Sequence, residues 1–325
     1  MNVPRRKFLH LAAGTVALPA TAPFCWAQTY PARPVRLIVP FAPGGQNDII
    51  ARIIGQWLSE RLGQQFVIEN RPGAATNIGT EAVVRAPPDG YTLLLAATAN
   101  AVNATLFNRL NYDFIRDIAP VASINRIPGV LEAHPSFQAK TVPELIAHAK
   151  ANPNKINIAT PPKGTAGYMA AELFKMMTDI NIVHVPYVVA PAMLTDLLGG
   201  QVQVAFDGIS SSFEHIRAGK LRALAVATAA RLEALPDIPT IGESLPGFEA
   251  SGWCGIAAPS NTPIGIIDKL NTEINAGLAD PKIKARLADL GVIVLAGTPV
   301  EFAKHIADET EKWGKLIKMA NIKPD

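Results

Sequence analysis

The chain has 325 residues, 49% hydrophobic and 18% charged, a composition that excludes wholesale disorder and accommodates two ordinary domains. Its formal net charge of +3 belongs to the first 27 residues: Arg5, Arg6 and Lys7 lie there with no Asp or Glu, and the remainder sets 27 basic against 27 acidic residues. That balance leaves no basic footprint for nucleic acid.

The opening MNVPRRKFLHLAAGTVALPATAPFCWA joins a basic start to a short Ala/Leu-rich run interrupted by Gly14 and Pro19. The run is shorter than the ~20 apolar residues a membrane-spanning helix needs. Residues 1–27 read as a removable bacterial export signal ending at Ala27, and therefore as a periplasmic address. RRKFLH gives it a twin-arginine look, an ordinary secretory signal with two arginines being the alternative. Pro23-Phe24 is a poor match to the small residues a lipoprotein anchor at Cys25 requires. Only Cys254 then remains, so no intramolecular disulfide forms, and its run GWCGIAAP reads as a buried thiol. His134, His148, His184, His215 and His305 form no short-spaced ligand pair, and no metal or cofactor is implied.

Further along, VRLIVPF, QFVIEN, YTLLLAAT, GVLEAH, INIAT, NIVHVPY, VQVAFDG and LRALAVAT read as strands alternating with helical patterns. One such helix is Asp48–Leu62, closed by Gly63. The alternation predicts an α/β fold of parallel sheets with helices on both faces. Thr141 with Glu144, and Thr298 with Glu301, fit capping boxes, and Pro263, Pro281 and Pro299 suit first helical turns. Three helices with a short VIVL strand fill Pro263–Ala320. The length exceeds one comfortable open sheet, which predicts two lobes joined by strands crossing near Ile124–Val130 and Glu249–Ala258. Lobe 1 is then residues 28–128 plus 251–325, and lobe 2 is 129–250.

Two strand–loop–helix mouths stand out, LIVPFAPGGQNDIIAR and INIATPPKGTAGYMAA. In open α/β sheets ligands sit beyond the carboxyl ends of strands, where such loops gather. Gly44 and Gly45 let backbone amides approach a ligand, and the following helix adds free first-turn N–H groups and its positive dipole end. The same glycines also suit a tight turn that needs them for shape alone. Asp48 either caps that helix or holds a water. Lys163 can pair with an acidic ligand or lie solvated, beside Gly164 and Thr165 at the second mouth. Thr98, Asn100 and Asn103 form a polar cluster that is either a cleft wall or a helix cap. Tyr187 and Asp207 end strands, as cleft residues or as half-buried ones with a satisfied polar tip. There is no G-x-S-x-G elbow, and the serines of GISSSFEHI lack a strand-to-nucleophile pattern, so nothing argues for an enzyme.

The ordered blocks VPFAPGGQNDIIAR, VIENRPGAATNIG, DGYTLLL, HVPY, LTDLLGGQV, AGKLRALAV and LPDIPT resemble the Bug-type solute receptors of tripartite tricarboxylate transporters, over almost the whole chain beyond the signal. The resemblance implies a periplasmic, non-enzymatic receptor with a two-lobed Venus-flytrap fold, a cleft between two doubly wound sheets, and membrane permease subunits as partners. It implies a small organic acid between the lobes, its carboxylate held by backbone groups and ordered water of the first loop. That loop is here Ala42, Pro43, Gly44, Gly45, Gln46, Asn47 and Asp48. Facing groups come from Thr98 to Asn103, Thr160 to Thr165, Tyr187 and Asp207.

Departures fall in these loops. The usual NRPGAGGNIG has Ala75 and Thr76 for two glycines. The usual Ser/Asn-rich second-lobe loop is TPPKGTAGY, with Pro161, Pro162, Lys163 and Tyr168. Val188-Val189 follow Tyr187 where many members have Lys-Gly or Arg-Gly. Lys163 is expected to supply the missing cationic contact. The ligand itself is not legible, and the readings kept beside the receptor are an exported α/β enzyme acting on a small carboxylate and a sensory receptor for amino acids or small amides.

Overall fold

The computed structural model describes residues 30–107, 109–187 and 190–324; the expected export signal, Val188 and Val189 lie outside them. The first stretch runs β1 (Val35–Val39), α1 (Gln46–Leu62), β2 (Phe66–Asn70), a 3-10 turn (Ala74–Thr76), α2 (Asn77–Val84), β3 (Thr92–Ala97), α3 (Thr98–Leu106), α4 (Phe114–Asp117) and β4 (Ile118–Ile127). The second runs β5 (Gly129–Ala133), α5 (Val142–Ala151), β6 (Asn157–Thr160), α6 (Ala166–Thr178), β7 (Val183–Pro186), α7 (Ala190–Leu198), β8 (Val204–Gly208), α8 (Ile209–Arg217) and β9 (Arg222–Val226). A 3-10 turn (Ile241–Glu243) leads back to β10 (Gly252–Pro259), α9 (Ile264–Ala279), α10 (Pro281–Asp289), β11 (Ile293–Val294) and α11 (Pro299–Met319).

Local chemistry accounts for these boundaries. Helix α1 buries Ile50, Ala51, Ile53, Ile54 and Leu58 on one stripe, at about 1.5–3 kcal/mol for each large side chain. It stops at Gly63, whose left-handed φ of 71° lets its N–H reach the Ser59 carbonyl. Thr141 caps α5 by accepting from the Glu144 N–H, while the Glu144 carboxylate accepts from the Lys140 N–H. The Thr298–Glu301 box is reciprocal, with Pro299 at the first helical position. Strands β3 and β10 are buried along their whole length, as central strands covered on both faces must be.

The strands form two sheets, β11-β4-β10-β3-β1-β2 and β7-β6-β8-β5-β9. Strand β1 is parallel to β2 and β3, and β6 to β7 and β8, as strand–helix alternation requires. The expectation of all-parallel sheets is corrected at the crossings. Strand β10 is antiparallel to both β3 and β4, and β5 to both β8 and β9. The reason is topological: β4 carries the chain out of the first sheet through Pro128 into β5, and β10 brings it back alongside β4 in the opposite sense. Each sheet is therefore mixed, within an α/β two-sheet molecule.

Helix α11 serves both sheets. Phe302 and Ile306 pack with Trp253 and Ala257 of the first, whereas Trp313, Leu316 and Ile317 share the second core with Tyr168, Met169 and Phe206. Gly314 makes this possible, because a Cβ there would stand 2.9 Å from the Thr105 hydroxyl of α3. Cys254 is fully buried beside Asn125, and burial pushes its thiol up out of the titrating range.

Candidate functional site

Four strand-to-helix turns meet between the sheets: β1–α1, β3–α3, β6–α6 and β8–α8. They surround a cavity of about 550 Å³, completed by the crossing strands at Ile127, Gly129, Gly252 and Trp253. Its position follows the rule that open α/β sheets place ligands beyond the carboxyl ends of their strands.

The β1–α1 turn contributes Gly44, Gln46 and Asn47 to the lining. Gly44 has φ +79° with open space where a Cβ would stand, so it is needed for backbone conformation rather than for room. Gly45 is the extended N-cap of α1 and supplies no side-chain cap, leaving first-turn amides at the cleft. The Asn47 amide lines the cavity and its buried Oδ1 has no hydrogen-bond partner. Gln46 reaches across: its Nε2 donates to the Ser210 hydroxyl at 2.9 Å and to the Leu290 carbonyl at 3.0 Å.

Ala42, Pro43, Gly45 and Asp48 shape this turn without lining the cavity. Asp48 accepts from the Gly44 N–H, the Arg52 guanidinium and the Asn70 amide, each at 2.9 Å. Burial alone would raise its pKa, but the hydrogen bonds from Arg52, Gly44 and Asn70 outweigh that and hold the carboxyl below its usual range. It is a support for the Gly44 turn.

At the β3–α3 turn only Thr98 of the polar cluster lines the cavity. Its hydroxyl accepts from the Trp253 N–H at 2.9 Å, so β10 orients it. Helix α3 begins after Ala97, which has no capping side chain of its own. Asn100 instead turns back, accepting from the Ala97 N–H and donating to the Thr80 hydroxyl at 2.7 Å. Asn103 pins the neighbouring turn through the Ala75 carbonyl, Thr76 and Asn77. Both amides lie inward because their partners come from α2 and the 3-10 turn, more than 19 residues away. Ala75 (φ 50°) and Thr76 (φ 82°) occupy left-handed conformations where glycine is the low-cost choice.

The second sheet presents a different face. Thr165 lines the cavity while its hydroxyl caps α6, accepting from the Tyr168 N–H and donating to the Pro162 carbonyl. Pro161 joins it in the lining; Lys163 is half-buried in the same loop outside the lining, and Gly164 packs against Val102, Asn103 and Leu106 of α3. Thr160 is turned to His184, its Oγ1 2.5 Å from Nε2, and the Tyr187 hydroxyl donates to Asp196 at 2.7 Å. Neither Thr160 nor Tyr187 lines the cavity.

Asp207 does. Its carboxylate accepts from the Gly208 N–H at 2.7 Å and from the Ser211 hydroxyl. Burial pushes its pKa up to about 6, opposed by those two hydrogen bonds. Behind it on β5, buried Glu132 accepts from Ser212 at 2.7 Å and is pushed up to about 8 by burial, with the Asp207 charge adding to the rise. At the sequence level Ser210 and Ser211 are weighed only as nucleophiles, and the apolar walls Phe41, Phe206 and Trp253 are not singled out as lining. The signal for the serines was present, since VQVAFDGISSS is a third strand–glycine–helix mouth.

Two α/β lobes around a turn-lined cleft define the periplasmic binding-protein class. A model described as the tripartite tricarboxylate transporter family receptor matches residues 50–322, and the chain belongs to that family. Protein BugT of Bordetella pertussis is 35% identical over 318 residues, covering 97% of this chain and 96% of its own. R. palustris Rpa4515 with adipate is similar at a TM-score of 0.82 and 36% identity, covering 91% of this chain and all of its own. MatC from Rhodopseudomonas palustris, with bound malate, is similar at a TM-score of 0.78 and 32% identity, covering 89% and 100%. These neighbours are solute-binding receptors.

Proposed function

We propose that this protein is an extracytoplasmic receptor that binds a small carboxylic acid between its lobes and delivers it to the membrane permease subunits of a tripartite tricarboxylate-type transporter. The observation that carries the reading is the pair of first-lobe helix starts, α1 after Gly45 and α3 after Ala97, that reach the cavity without a capping side chain. Free first-turn amides and the positive dipole ends of two helices suit a carboxylate with no cationic side chain. Gly44, Gln46, Asn47, Thr98, Thr165 and Asp207 are the direct contacts in this reading. Asp48, Asn100 and Asn103 hold the turns that present them. Closure follows when ligand binds the closed arrangement better than the open one.

The test is thermal unfolding of protein that has been unfolded and refolded to strip carried ligand, against mono-, di- and tricarboxylates, amino acids and neutral amides. A ligand at one hundred times its dissociation constant adds ~2.7 kcal/mol, a readable shift in melting temperature. Shifts with carboxylates support the reading. A shift confined to neutral amides refutes it.

A further inference from the structure

We infer that the cleft selects a monocarboxylate with an apolar body, whose far end donates a hydrogen bond to the Asp207 carboxylate. The inference rests on the carboxylate-receptor reading and names the acid class within it.

The asymmetry of the two lobes carries it. In the first lobe, α1 and α3 meet the cavity without capping side chains, so their amides are available to one ionised group. In the second, Thr165 caps α6, and α8, which like α1 and α3 has no capping side chain, starts beside the Asp207 carboxylate, which accepts from the Gly208 N–H and stands in the cavity wall. A second ligand carboxylate at that start would meet the buried Asp207 carboxylate, and like charges disfavour one another.

The lining points the same way. Among the described residues, Asp207 is the one charged side chain in the cavity wall, and no Lys, Arg or His lines it. The acid packed behind Asp207 from β5 is Glu132, which brings no positive charge, and the α8 groups facing the pair are the hydroxyls of Ser211 and Ser212. Each Asp207 oxygen has one donor and keeps a lone pair for a second. Between the two ends the wall is apolar, with Phe41, Ile127, Phe206 and Trp253 available to cover hydrocarbon. A hydroxyl or ammonium at the far end satisfies Asp207; a methyl leaves it unpaired; a carboxylate opposes it. The inference sets this chain apart from the neighbours holding adipate and malate.

The test is titration calorimetry at pH 7.5 on stripped protein with two matched series, hexanoate, 6-hydroxyhexanoate and adipate, and benzoate, 4-hydroxybenzoate and terephthalate. Within at least one series the hydroxy acid is expected to bind at least tenfold tighter than the dicarboxylate, with the plain acid between. Asp207→Asn is expected to shrink that ratio at least fivefold, by weakening the hydroxy acid and strengthening the dicarboxylate. A hydroxy acid that falls short of that tenfold preference in both series overturns the inference and leaves the receptor reading standing. An unchanged ratio in a folded Asp207→Asn protein overturns the role of Asp207. The ranking is read on the wild-type chain, so it decides even where the variant fails to fold. Failure of all six acids to bind overturns the inference, and failure of every carboxylate in the wider thermal panel overturns the receptor reading as well.

Discussion

Asp48 holds the β1–α1 turn from within, its two oxygens shared among Gly44, Arg52 and Asn70. Arg52 is half-exposed, so the ion pair itself contributes little and the buried hydrogen bonds carry most of the effect. Asp48→Asn should cost about 1–2 kcal/mol at pH 7. A carboxyl held below its unfolded value contributes in full above about pH 4 and loses that contribution as pH falls through its folded value. The difference between wild type and variant, measured by urea unfolding, should therefore be smaller at pH 3 than at pH 7; equal differences would refute the electrostatic account. Gln46 acts at the same scale but across the cleft. Losing its bonds to Ser210 and Leu290 in Gln46→Ala should weaken carboxylate binding by about five- to tenfold, in line with ~1 kcal/mol for such bonds. Calorimetry checks this, and urea unfolding of the ligand-free protein should show a loss of about 1 kcal/mol from the same bonds.

The 3-10 turn Ala74–Thr76 sets three successive non-glycine residues at positive φ, 45°, 50° and 82°. A left-handed residue with a Cβ costs roughly 1 kcal/mol, and here that cost is offset by Asn103 and Thr80, which bind the turn's carbonyls. Ala75→Gly removes the penalty and loses no side-chain hydrogen bond, while the freer unfolded chain takes back part of the gain. The expected net is a stabilisation of about 0.5 kcal/mol, read from the urea midpoint at constant slope. Thr76→Gly also removes the hydroxyl that Asn100 and Asn103 use, and should be destabilising instead. Opposite signs at adjacent positions distinguish backbone strain from general turn flexibility.

Across the whole molecule, the two sheets are joined by more than the crossing strands. Helix α11 begins against the first core and ends inside the second, where Trp313 is fully buried and its indole donates to Glu309 at 2.8 Å. Trp313→Ala should cost about 3–5 kcal/mol, the range for deleting a buried aromatic. Because the helix spans both cores, unfolding followed by circular dichroism and by fluorescence should remain a single coincident transition at a lower midpoint. Separate transitions for the two sheets would contradict the coupling.

Much of the fold was legible locally. The β-branched runs, the capping boxes at Thr141 and Thr298, and the stop at Gly63 depend on neighbours within four residues, and they mark elements wherever the chain later goes. Strand direction is not written that way: β10 reads as an apolar run, and only pairing with β3 and β4 makes it antiparallel and the sheets mixed. The same division runs through the site. Glycine-opened helix starts are sequence features, so the turns at Gly44 and Gly164 could be named from residues alone. Which polar side chains face the cavity depends on partners far along the chain. Asn100 and Asn103 turn away because Thr80, Thr76 and Asn77 accept their amides, and Asp207 stays in the wall because Gly208 and Ser211 hold it there. A buried polar group goes where its hydrogen bonds are satisfied, and tertiary structure decides which long-range partners are within reach.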